Sequence, residues 1–428
     1  MSSSPNSKVN EASPNARPID GITSCVLAGG WREDAASTKP PAQSPRFGLF
    51  DSMRAVAVLC VLGMHVGYVS GGSQRAWYGY LTSHLNIGVT IFFVISGFLL
   101  YRPHAVALLS GMVPPPLGTY VRRRIVRIVP AYWVALTLLA IWPGLYGVFT
   151  HDWWIYYGFA QGYSSDWQTL TGGIGPAWSL TVEVGFYAAL PGLAWAFRRL
   201  CRSTGPHRAL SSQLWGLLVF GVLGEILRNA LTPTFPALPT TYPGLLLDFS
   251  VGMFLAVLSA SVGADERDRS WTRWVAAHSG VCWVLAGAVY LSVCAVLPRG
   301  ITKETGLYFS FRHLAYVTVA ALLILPAVFG EHAGGVPRRL LGTRAMAWLG
   351  KISYGVFLWH LPLLFALARV GVDQWIPDAP FLSLALAILP ISLVCGAASF
   401  HLVEKPAMRL RGSSLLANRS EARSGRSS

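Results

Sequence analysis

Apolar residues in this chain gather into long runs rather than alternating with polar ones. Between Phe47 and Val403 the runs come near or above the roughly 18 residues that cross a bilayer, and short polar breaks separate them. Ten spans follow, at about 48–69, 85–101, 128–149, 177–197, 212–231, 242–262, 276–297, 311–329, 348–369 and 381–402. In lipid only helices and closed barrels satisfy their own backbone polar groups, and runs of this length predict helices. The fold class expected is an all-α polytopic integral membrane protein with about ten transmembrane helices. Residues 1–46 are rich in Ser, Pro, Ala and Asn and lack the charged start, apolar core and cleavage site of a signal peptide. They read as a disordered cytoplasmic tail, and 410–428 read the same way, leaving 47–409 as one membrane domain.

Composition agrees with the pattern. Only 12% of residues are charged, about half the share of an ordinary soluble domain. The net charge of +15 raises the question of a nucleic-acid partner. The basic residues answer it, because they collect in alternate connections. Arg102 and Arg122 to Arg127 flank one, and Arg198 to Arg208, Arg267 to Arg273, Arg338 to Arg344 and Lys405 to Arg411 mark the others. The connection from His151 to Ala177 holds Asp152 and Asp166 and no Lys or Arg; the one around Arg299 and Lys303 alternates least well. This is the bias of cytoplasmic loops, and it places both termini in the cytoplasm with no call for nucleic acid. Of six cysteines, Cys60, Cys282, Cys294 and Cys395 fall in spans, while Cys25 and Cys201 face a reducing compartment. None has zinc-site spacing, so no metal is expected.

Ionisable residues inside the spans carry the candidate chemistry, since each is costly in lipid. "FDSMRAVAVLCVLGMHVGY" holds Arg54 and His65, eleven residues apart. At about 100° per residue they share one helix face, about 16 Å apart along the axis. Snorkelling of Arg54 and a plain inter-helix hydrogen bond for His65 are the alternatives. In "GPAWSLTVEVGFYAALP" the residues Ser179, Glu183 and Tyr187 form an i, i+4, i+8 polar stripe, with Pro176 at the helix start. Glu183 is expected at the depth of His65 and away from Arg54, where a carboxylate can hold an imidazole's tautomer. "ISYGVFLWHLP" puts Ser353, Phe357 and His360 on one face, His360 being either a satisfied core histidine or a site residue. In "TYVRRRIVRIVPAYW", Arg123 and Arg127 are i, i+4 neighbours; topology alone explains such a run, and a phosphate-binding surface is the alternative.

These motifs, in this order, resemble the membrane acyltransferase-3 family. Its Arg-(ten residues)-His hallmark on the first helix is matched by Arg54 and His65. "FFVISGFLL", "RRRIVRIVPAYW", "WSLTVEVGFY", "ISYGVFLWHLP" and "EKPAMR", with Glu404, Pro406 and Arg409, complete the likeness over about residues 46–411. The chain reads "DSMRA" where the family commonly has Asp-Gly-Leu-Arg-Gly, so small Ser52 and Ala55 replace glycines. Some relatives carry a further extracytoplasmic hydrolase-like domain, for which this chain is expected to leave no room.

The resemblance implies an O-acyltransferase of the cytoplasmic membrane, taking an acyl group from cytoplasmic acyl-CoA to a hydroxyl of a sugar, glycolipid, glycan or macrolide-type acceptor. It implies no cofactor beyond that co-substrate. His65 is then the general base, Glu183 its support and His360 a further catalytic residue. Arg54, Arg123 and Arg127 meet the donor, while Ser179, Tyr187 and Ser353 line the site. A proton-coupled transporter with an intramembrane His/Glu relay is the competing expectation.

Overall fold

The computed structural model describes residues 47–201, 205–262, 270–299, 307–329 and 335–409. The expected tails, 1–46 and 410–428, lie outside them. All ten expected spans are helices: α1 (Leu49–Val69), α2 (Ile87–Leu109), α3 (Leu117–Leu139), α4 (Trp178–Leu200), α5 (Pro206–Leu231), α6 (Leu246–Val262), α7 (Ser279–Val296), α8 (Leu307–Phe329), α9 (Arg344–Arg369) and α10 (Pro380–Ser399). Ten helical segments are long and apolar enough to cross a membrane, and no strand occurs among the described residues.

The largest departure from the expected bounds is α3. It begins at Leu117 rather than near 128, so Arg122, Arg123, Arg124 and Arg127 lie within the helix and Pro130 in its interior. Four guanidiniums depress the local hydropathy without interrupting the backbone. Their long stems let the charges reach the end of the bundle. Because α1, α3, α5, α7 and α9 start at that end and the even-numbered helices finish there, we call it the basic end.

α1 packs along α9, α2 along α6, and α1 against α2, so these four helices form the middle of the bundle. α10 joins α9, α5 joins α6, and α7 packs on α8. α1 is the seam between two apolar clusters. Phe50, Met53 and Ala57 pack with α2, α4, α5, α6 and α8, whereas Ala55, Val58, Val61 and Val66 pack with α3, α9 and α10. Helices in lipid gain little by hiding apolar surface from one another, so close backbone approach supplies much of the attraction. Gly350 of α9 is such a point: an added Cβ would run into the Asp51 carbonyl of α1. The two small replacements noted above also serve this packing. Ala55 is fully buried, and the buried Ser52 hydroxyl donates to the Leu341 carbonyl at 2.5 Å. Rim helices turn large apolar side chains outward, among them Trp215, Val219 and Ile226 of α5 and Leu386 and Val394 of α10.

One polar network ties α5, α6 and α8. His313 lies between two carboxylates, with Nδ1 2.7 Å from Glu225 Oε2 and Nε2 2.6 Å from Asp248 Oδ2. Arg228 Nη1 reaches the same Glu225 oxygen at 3.3 Å, and its guanidinium stacks over Phe309. Asp248 is fully buried and Arg228 is 2% exposed, so these charges answer each other rather than solvent. Asp248→Ala should therefore destabilise the protein by about 3–5 kcal/mol, the usual cost of stranding a buried partner. Unfolding in mixed micelles measures this; an unchanged unfolding free energy would show that the network does not hold the three helices together.

Candidate active site

Along α1, Asp51 and Arg54 come first, and their i, i+3 spacing closes an ion pair of 2.9 Å. The Gly350 contact sets α9 beside this turn. Next to it lies a cavity of about 310 Å3. Arg54, Ser96, Arg123, Arg124 and Arg127 line it, together with Ser179, Glu183, Tyr187, Ser353 and Phe357. The predicted stripe of α4 thus faces one space. Glu183 Oε1 accepts from Tyr187 Oη at 2.5 Å and from Ser96 Oγ at 2.9 Å. Tyr187 is held in turn by Tyr120 Oη, which donates to its carbonyl at 3.1 Å, and by Arg124, whose guanidinium sits 5.8 Å from its ring centre. Ser353 Oγ donates to the Gly350 carbonyl at 2.9 Å, and Ser179 Oγ to that of Pro176 at 3.0 Å. Four guanidiniums against Glu183 and the already paired Asp51 leave the cavity cationic. Glu404, 1% exposed with neither oxygen hydrogen-bonded, adds a buried carboxylate close enough to Arg127 for their charges to interact.

The cavity also takes in residues nearer the start of α2. Its lining includes Val89 and Phe92 of α2. At neighbouring Gly88 an added Cβ would meet the Ala57 carbonyl and the Val61 side chain of α1. That level is about one turn short of His65. There His65 Nδ1 lies 2.9 Å from Nε2 of His360 on α9, with ring centres 5.0 Å apart. His360 is fully buried and its Nδ1 faces the carbonyls of Phe357 at 2.8 Å and Val356 at 3.2 Å, while His65 is half-buried. Phe357 lines the cavity and has its ring 6.0 Å from that of His360.

Residues 48–400 match the family Acyl_transf_3, described as an acyltransferase domain. The chain belongs to the acyltransferase-3 family. Acyltransferase MdmB of Streptomyces mycarofaciens is 24% identical, over 87% of this chain and 94% of its own length. Nodulation protein 10 of Rhizobium leguminosarum bv. viciae is 28% identical, over 78% and 84%. Peptidoglycan O-acetyltransferase OatA of Listeria monocytogenes is 22% identical over 83% of this chain and 55% of its own length, so the chain spans about half of that relative. No solved structure matches. The protein is an acyltransferase with multiple membrane spans.

In this acyltransferase the sequence-derived site residues fall into two groups. Arg54, Arg123, Arg127, Ser179, Glu183, Tyr187 and Ser353 share the cavity; His65 and His360 pair beyond it. The expected pairing of Glu183 with His65 is not formed. Glu183 instead shares the cavity with Arg54, and their charges act on one another. The reason is the depth at which α4 begins. Gly175, just before α4, sits against Leu361, the neighbour of His360, so this segment starts at the histidines' own level. Glu183 then lies eight residues, or about 12 Å, further toward the basic end. The connection 145–174 buries that start: Tyr132 and Trp133 of α3 donate to the carbonyls of Tyr156 and Tyr157, and Ile174 and Ala177 are fully buried. Ser96 and Asp51 escaped the sequence reading, although Asp51 stands three residues before Arg54.

A cavity open toward the basic end makes a labelling prediction. Ser96→Cys should react with a hydrophilic maleimide. Ser392→Cys, buried on α10 away from the cavity, should stay unmodified. Equal labelling of both, read by mass spectrometry, would contradict this description of the site.

Proposed function

We propose that this enzyme transfers an acyl group from cytoplasmic acyl-CoA to a hydroxyl on a carbohydrate, glycolipid or secondary-metabolite acceptor. In this reading it sits in the cytoplasmic membrane with both termini and the basic end facing the cytoplasm. The supporting observation is the cationic cavity beside Arg54, whose lining residue Phe357 has its ring 6.0 Å from that of His360 in the histidine pair. Guanidinium groups suit the phosphates of a CoA donor, and Arg123 stands exposed at the basic end to meet them. The apolar part of the lining, with Phe92, Leu99, Leu100 and Leu180, suits the donor's slender arm.

In the reaction the acceptor O–H bond breaks, and its proton passes to His65 as the oxygen attacks the thioester carbonyl. The C–S bond then breaks, and the departing sulfur takes that proton from His65 to leave as the thiol. Atoms and charge balance with no cofactor. Glu183 is now read as the charge that steadies Arg54 and Arg127 in the donor cavity rather than as the support of His65.

Three substitutions separate these roles. His65→Ala should lower turnover by roughly 10²–10⁴-fold with donor affinity unchanged. Arg54→Ala should weaken acyl-CoA binding by roughly 10–100-fold, the loss of a charge-assisted contact. Glu183→Gln should weaken donor binding as well. Direct binding of labelled acyl-CoA, alongside turnover at saturating donor, reads all three. Should the wild-type protein acylate nothing in a broad panel of hydroxylated acceptors, the proposal fails. Should Glu183→Gln lose turnover alone, the carboxylate acts at His65 after all.

A further inference from the structure

Carbonyl oxygens only accept hydrogen bonds, and this fixes the proton positions through the histidine pair. His360 Nδ1 is 2.8 Å from the Phe357 carbonyl and 3.2 Å from that of Val356, so Nδ1 carries the hydrogen. In a neutral ring Nε2 is then an acceptor. The atom 2.9 Å from it is His65 Nδ1, which must supply the hydrogen. A protonated His360 would reverse this order. The ring is fully buried, however, and among the described residues no carboxylate lies within ion-pairing distance of either histidine, so a charge there would go unanswered.

We infer that His360 is a positioning residue that fixes the tautomer of His65, leaving His65 Nε2 with the lone pair that accepts the acceptor's proton. The Phe357 carbonyl, His360 and His65 form a directional relay of orientation, with no proton moving through His360. The role is that of the third group behind a nucleophile–base pair, filled by a neutral imidazole in place of a carboxylate. When His65 is protonated during transfer, its Nδ1–H still points at His360 Nε2, which receives part of the charge. The location of the lone pair stands on geometry alone; its use in catalysis rests on the transfer reaction proposed above.

The two are tested separately on the full-length protein in lipid. With histidine ring nitrogens labelled by ¹⁵N, and His65 assigned by its loss in His65→Gln, wild-type His65 should show a protonated Nδ1 and an unprotonated Nε2. His360→Ala should loosen that preference, which the Val61 carbonyl also favours, and lower kcat roughly 10–100-fold, by analogy with a metal-bound histidine that loses its orienting hydrogen bond, with KM for acyl-CoA unchanged. His360→Gln offers a side-chain oxygen near the vacated Nε2 position but cannot carry a proton. It should restore both the tautomer and most of the turnover. A protonated Nε2 on wild-type His65 overturns the inference. So does a His360→Gln protein that keeps the tautomer yet is as slow as His360→Ala, because His360 must then move a proton itself. If the tautomer is as described but wild-type protein transfers no acyl group, the transfer reaction fails and the assignment of the lone pair stands.

Discussion

The contact between Gly350 and the Asp51 carbonyl sets the register of α9 against α1, and the rest of the site depends on that register. Both helices run from the basic end, so one close approach there fixes which residues face each other further along. Arg54 falls beside the space lined by Ser353, and His65 meets His360. Neither pairing is a strong attraction in its own right. In lipid, where apolar side chains gain little from each other's company, backbones brought together by a missing Cβ hold such an arrangement. A side chain at position 350 would displace α1 and pull apart the cavity lining and the histidine pair together.

The placement of charge follows the same logic. Buried ionisable groups persist in a membrane protein when they have partners or a task. At α5, α6 and α8 they have partners: Glu225, Arg228, Asp248 and His313 close on one another. In the cavity the guanidiniums outnumber the carboxylates. His65 and His360 have no carboxylate within ion-pairing distance among the described residues, and hydrogen bonds link them to a backbone carbonyl. The molecule thus keeps its buried ion network apart from its cationic cavity and its histidine pair.

Much of this was legible in the sequence because helical spacing translates directly into a shared face. Ser179, Glu183 and Tyr187 line one cavity as their four-residue interval requires. Depth was harder to read. Counting inward from Pro176 assumes that α4 starts at the membrane surface, whereas the 145–174 connection buries its start beside Leu361. Reading spans from apolar runs also set the start of α3 too late, since arginines that a helix tolerates near its end break such a run. The α5–α6–α8 network left only the signal of isolated Glu225, Asp248 and His313 in apolar runs. With each on a different helix, no interval in the sequence linked them.

In the proposed reaction α1 carries both the donor end and the reacting end of a single site. A structure of the protein with a non-hydrolysable acyl-CoA analogue tests it most directly. The nucleotide phosphates should lie within hydrogen-bond reach of Arg123 and Arg127, the arm past Arg54 and Phe357, and the sulfur beside His65 Nε2. A nucleotide bound at the opposite end of the bundle, or a sulfur resting at Glu183 with His65 out of reach, would contradict it.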